Sequence, residues 1–186
     1  MVWSCLVSIL PGMAQTEKLT DYVNPFVGTD GYGNVYPGAQ IPFGGIQISP
    51  DTDSRFYDAA SGYKYNHLTL MGFSLTHLSG TGIPDLGDFL FIPGTGEMKL
   101  EPGTHEDPDQ GYRSRYSHDK EWASPNYYAV ELADYGVKAE MTSGVRSGMF
   151  RFTYPESDNA FIMIDMNHTL WQSCEWSNLR MINDST

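Results

Sequence analysis

One histidine, two aspartates and four glycines are crowded into residues 68–93, LTLMGFSLTHLSGTGIPDLGDFLFIP. Histidine and aspartate can move protons, bind metals or take up the hydroxyls of a sugar. The run Ser79, Gly80, Thr81, Gly82 is turn chemistry that a helix would not choose. His77, Asp85 and Asp88 therefore sit at or beside a bend, and Phe89 to Ile92 reads as the strand leaving it. Glycoside hydrolysis needs two carboxyl groups, about 5 Å apart for retention and about 6.5 to 9.5 Å for inversion. Asp85 and Asp88 are close enough in sequence to share such a site. Both also flank a strand start, where aspartate commonly caps turns, so the spacing supports neither as acid or base. Composition leaves His77 open between a ligand contact and an ordinary hydrogen-bonded histidine.

Other constellations fail on inspection. His105, Glu106 and Asp107 are adjacent, but the second histidine of a helical zinc signature is absent and nearby prolines prevent the helix. Residues 51–58, DTDSRFYD, have the acidic spacing of a calcium loop, yet Phe56 stands at its glycine position and Gly62 at its terminal glutamate. Turn-forming acids are the simpler reading there. Gly72 to Thr76 misses the nucleophile elbow by its final glycine, and the Gly28 to Gly33 cluster lacks the phosphate-loop lysine. Cys5 and Cys174 are the two cysteines, which excludes a disulfide scaffold. Between Trp171 and Trp176, Cys174 reads as a small buried hydrophobe.

The elements that must hold these residues are strands. The 186 residues are 40% hydrophobic and 13% aromatic, with 19 glycines and 11 prolines, which predicts short strands joined by turns around one core. A formal charge of −12, without a basic stripe, argues against a nucleic-acid partner. Strands are expected around Ile46 to Ile48, ended by Pro50 and Asp51, and through Leu68, Leu70 and Phe73. Residues 101–119 read as an exposed connection containing a short strand. Tyr127 to Leu132 and Val137 to Met141 form a hairpin around Asp134, Tyr135 and Gly136, with Lys138 and Glu140 pointing outward. Phe150, Phe152 and Tyr154 then share one face, and Ala160 to Met166, AFIMIDM, reads as a strand buried on both faces. Strand and turn are expected again over 171–186. Regular spacing predicts an all-β, two-sheet antiparallel β-sandwich.

Residues 1–15 read as a partial signal peptide: an apolar run from Cys5 to Leu10, a Pro-Gly break, and Ala14 before Gln15. That run is too short to span a membrane. The expected protein is secreted or periplasmic, with the domain over 16–186.

VNPFVGTDGYGNVYPGAQIPFGGIQISPDT, then SGYKY, then GFSLTHLSGTGIPDLGDFLFIP, in this order and spacing, resemble the start of glycoside hydrolase family 92, the calcium-dependent exo-α-mannosidases. SHDKEWASPNYYAVELADYGVKAEMTSGVRSGMFRFTYP continues the resemblance, which covers about residues 21–165. It implies an amino-terminal supersandwich of the galactose-mutarotase type, incomplete at its carboxyl end, that packs against an (α/α)6 barrel. The resemblance assigns the general acid, the general base and the calcium environment mainly to that barrel. It therefore implies no catalytic residue and no metal ligand in this chain, and an isolated chain without turnover. Mannose-containing glycans are the implied substrates, with Tyr57, Asp58, His77 and Thr81 as candidate contacts. Tyr57 stands where many members carry a tryptophan, and Leu75 where many carry a second histidine. A stand-alone carbohydrate-binding module and a purely structural interdomain sandwich are the alternatives.

Overall fold

A computed structural model describes residues 17–55 and 57–183, with Asp58 described by its backbone alone. The expected signal segment and Cys5 lie outside the described residues. Ten strands follow in chain order: β1 Ser49–Asp51, β2 Thr69–Leu70, β3 Gly72–Ser74, β4 Leu90–Thr95, β5 Ser114–Arg115, β6 Glu121–Ser124, β7 Tyr127–Leu132, β8 Val137–Ser143, β9 Gly148–Thr153 and β10 Ala160–Asp165. Helical structure among the described residues is confined to short 3-10 turns.

The strands form sheets of order β1-β3-β4-β10 and β6-β7-β8-β9, plus the small pair β2-β5. Their pairings are antiparallel. The two larger sheets face each other, as expected for a sandwich. Val130 and Leu132 of β7 and Val137, Ala139 and Met141 of β8 pack in one cluster with Ile48, Leu70 and Phe73. Alternation along β8 makes this possible, because residues two apart share a face. Phe73 lies 6.2 Å from Phe152, and Phe91 lies 5.0 Å from Phe150, so aromatic rings bridge the sheets. On the opposite face, Met71, Leu90, Ile92 and Tyr112 form a second cluster with Met163 against it. Leu90 and Ile92 thus bury one face of β4, while Phe91 turns to the other.

A buried polar network pins β6 to this core. Glu121 accepts hydrogen bonds from the Tyr63 hydroxyl at 3.0 Å, the Tyr128 hydroxyl at 2.5 Å and His118 Nδ1 at 2.6 Å. Burial, then the neighbouring Tyr116 and Glu121, push the Tyr63 phenol above its ordinary range, so its hydroxyl remains a donor. Three donors thereby meet that carboxylate, which offsets the cost of burying it.

Five elements differ from expectation. Pro50 lies within β1 rather than ending it, which is tolerated because β1 is an edge strand bonded only to β3. The stretch from Leu68 to Phe73 divides at Met71, whose N–H donates to the Asp51 carbonyl at 2.7 Å. This sends β2 to β5 and β3 to β1 and β4. Within 101–119, Pro108, Tyr112, Arg113 and Ser114 are buried, because Tyr112 covers the outer face of β4. Ala160–Asp165 forms a strand, but at a sheet edge with exposed and half-buried residues alternating rather than buried on both faces. No strand forms over 171–183 among the described residues.

Candidate functional site

Asp51, the last residue of β1, is fully buried between two histidines. His77 Nε2 lies 2.8 Å from Asp51 Oδ1, and His168 Nε2 lies 2.7 Å from Oδ2. Nδ1 of His77 faces the Gln47 carbonyl at 2.7 Å and must donate to it, because a carbonyl can only accept. Nε2 then sits between Asp51 and the Ser74 hydroxyl, 3.0 Å away. Burial by itself would raise the Asp51 carboxyl. The charge and hydrogen bonds of His77 and His168 outweigh it and hold Asp51 well below the usual carboxylate range.

The loop after Asp51 is shaped by Gly62, whose carbonyl accepts from the N–H groups of Thr52 at 2.7 Å and Asp53 at 3.2 Å. Gly62 has φ +82°, and a Cβ there would collide with Asp51 Oδ1. Gly62→Ala should therefore cost about 2–4 kcal/mol, from left-handed strain and overpacking together. Urea denaturation reads this directly, and an unchanged midpoint would show that the loop relaxes freely. Asp53 is held in turn by His105, whose Nε2 lies 3.1 Å from Oδ2, and His105 Nδ1 meets the Thr69 hydroxyl at 2.8 Å. Asp51 and Asp53 are therefore anchors joined to distant histidines, more than the turn formers their sequence suggested.

On this frame sits an outer rim. Tyr57, in the 3-10 turn Tyr57–Ala59, is 57% exposed. Its hydroxyl lies 3.3 Å from where a Cβ on Gly82 would stand, and Asn34 Nδ2 lies 3.2 Å from the same point. Gly82, at φ +61°, thus lets the two side chains close on the turn. The Gly80 N–H donates to the Asn34 carbonyl at 2.6 Å, which ties the 28–36 loop to the 79–82 loop. Thr81 is exposed beside them, its hydroxyl 3.3 Å from the Ile83 carbonyl. The side-chain oxygen Oδ1 of Asn34 is buried without a hydrogen-bond partner. A buried acceptor in that state is an invitation to a donor.

The candidate residues therefore separate. Tyr57 and Thr81 come together on the rim, with the Asp58 backbone following Tyr57. His77 is 3% exposed, with both ring nitrogens engaged beneath that rim. Asp85 and Asp88 are exposed turn residues: Asp85 Oδ1 accepts from the Leu86 N–H at 2.8 Å, and Asp88 Oδ2 from the Thr76 hydroxyl at 2.9 Å. Asn34, Asp51 and His168 are the participants that sequence reasoning missed. A separate cleft of about 710 Å³, lined by Tyr112, Asp165, His168 and Trp171 among others, runs beside β10. Tyr57, His77 and Thr81 do not line it. Among the described residues, no group of three or more His, Cys, Asp or Glu side chains could hold a metal ion.

Two facing antiparallel sheets with a polar loop rim define a β-sandwich domain. The model of the glycosyl hydrolase family 92 N-terminal domain matches residues 22–186, and the chain belongs to that family. The solved structure of the family 92 glycosyl hydrolase ccman5 is similar with a TM-score of 0.69 and 31% identity, covering 81% of this chain and 20% of that one. The family 92 inverting mannosidase BT2199 from Bacteroides thetaiotaomicron follows at TM-score 0.64 and 27% identity, with the same two coverages of 81% and 20%. An uncharacterised secreted glycosidase of Arthroderma benhamiae is 30% identical over 139 residues, 74% of this chain and 17% of its own length. The chain thus spans about a fifth of the length of these relatives. No helix among the described residues is long and apolar enough to cross a membrane.

Proposed function

We propose that this domain supplies one wall of the sugar pocket in a secreted or periplasmic exo-α-mannosidase that acts with inversion on mannose-containing glycans. The observation that carries this reading is the rim itself: an exposed Tyr57 ring and the exposed Thr81 beside Gly82, with Asn34 Nδ2 against the same turn. A pyranose offers an apolar face that stacks on an aromatic ring such as Tyr57, and hydroxyls that hydrogen-bond to an exposed hydroxyl such as that of Thr81. The Asp58 backbone adds polar groups next to Tyr57. His77 acts beneath the rim, joining Asp51 to the Gln47 carbonyl so that the loops keep their separation.

Inverting hydrolysis needs one carboxylic acid to protonate the leaving oxygen and one carboxylate to activate water. In this reading both belong to an (α/α)6 partner domain, and calcium belongs to the complete enzyme. The work of this chain is to bind and orient the sugar and to exclude water from one side.

Tyr57→Ala in the complete enzyme should raise KM about two- to twelve-fold, the equivalent of roughly 0.5–1.5 kcal/mol of aromatic contact, with a smaller change in kcat. Tyr57→Phe should keep most of the affinity. Steady-state kinetics on a mannobiose substrate decide it: unchanged constants for Tyr57→Ala would leave the sandwich a structural role only.

A further inference from the structure

We propose that the outer face of the β6-β7-β8-β9 sheet is a second saccharide-binding surface, which takes a pyranose carrying a single negative charge on Trp122 and Lys138. It is built from other residues than the rim of Tyr57 and Thr81, and it rests on no part of the reading given for that rim.

Alternation along the strands assigns the two faces of this sheet. Val130, Ala139, Met141 and Phe152 belong to the core cluster, so their neighbours Ala129, Glu140 and Arg151 point outward. Trp122 completes that outward row, because it pairs with Ala129, Ala129 with Glu140, and Glu140 with Arg151. Directly opposed residues share a face. Neither hydrophobic cluster of the described residues includes any of these four side chains. Ala129 is nevertheless only 1% exposed, since the larger side chains beside it close over its methyl group, while Trp122 stays 45% exposed. An indole is thus displayed on an open sheet.

The polar groups around it are held in place by one another. Glu140 accepts from Arg151 Nε at 2.8 Å, from Arg151 Nη2 at 2.7 Å and from the Tyr127 hydroxyl at 2.7 Å. Lys120 pairs with Glu131 at 2.5 Å. Lys138 is the cation left over. Its Nζ stands 3.4 Å from Glu140, whose oxygens Arg151 already engages, and 5.8 Å from the centre of the Trp122 ring. Lys120, Lys138 and Arg151 against Glu131 and Glu140 make this face locally positive, on a chain whose formal charge is −12.

Charge complementarity selects the occupant. The apolar side of a sugar ring stacks on the indole, and an anionic group at the ring's edge meets Lys138. One negative charge fits, because a second would face Glu131 and Glu140. A protein surface is disfavoured, since covering these ion pairs would strip their water, whereas a sugar brings hydroxyls and leaves water in place. Uronates and sulfate esters of sugars share this chemistry.

The test is affinity electrophoresis of the complete enzyme in native gels containing polygalacturonate, dextran sulfate or neutral dextran. Retardation is expected with an acidic polymer and not with dextran, and the polymer that retards tells carboxylate from sulfate. Trp122→Ala should weaken retention about two- to twelve-fold, and Trp122→Tyr should keep most of it. Lys138→Gln should weaken it up to about fivefold, and added salt should do the same to the parent. Mannobiose hydrolysis should be unchanged in all three variants. The proposal is overturned if neither acidic polymer retards the enzyme, if dextran retards it equally, if Trp122→Ala is retained like the parent, or if these variants alter mannobiose kinetics. Retention is read without turnover, so this surface can fail while the mannosidase reading stands, and the reverse.

Discussion

Replacing Asp51 with alanine is expected to remove about 3–5 kcal/mol of stability, because it strands His77 and His168 without their common acceptor in a buried site. Domains of this size are stable by roughly 5–15 kcal/mol, so the variant should unfold at mild urea or fail to accumulate. Asp51→Asn keeps the shape and removes the charge, and should fall between. The same carboxylate sets an acid limit. Its folded-state value lies below the unfolded one near ~3.9, so its contribution is fully present above that pH and is lost as pH falls toward the folded value. Urea midpoints should hold from neutrality to about pH 4 and then decline, with a shallower decline in Asp51→Ala. Identical acid limbs in the two proteins would remove Asp51 from its anchoring role.

The architecture was legible where local pattern decides it. Alternation in residues 127–141 predicted the β7–β8 hairpin, and the Phe150, Phe152, Tyr154 face is the one that packs inward. Glycine and aspartate around 79–88 were read as turns; Asp85 does accept from the next residue's N–H, whereas Asp88 accepts from the Thr76 hydroxyl across the loop. Long-range pairing was not legible. His168 meets Asp51 across 117 positions, and no local signal marks a partner so distant. The Asp51 to Asp58 run looked like surface turn chemistry because burial of a charge is visible only once its partners are known. Strand character over 160–165 was clear, whereas its edge position depends on what lies beside it in space. The apolar composition of β10 and its exposure here disagree.

The claim at the centre of this account is that the chain shapes a mannose site without carrying out the hydrolysis. Its rim holds a tyrosine and a threonine, with an asparagine amide against the same turn. Asp85 and Asp88 are bonded to the Leu86 N–H and the Thr76 hydroxyl, and Asp51 is sealed between two imidazoles. A missing acid and base costs far more than any single contact, since enzymatic rate enhancements commonly reach about 10⁶-fold or more. The purified 186-residue chain should therefore leave mannobiose intact. The direct measurement is release of free mannose from mannobiose by this chain, with and without calcium. The account predicts none above the uncatalysed background in either condition, and calcium-dependent release would contradict it.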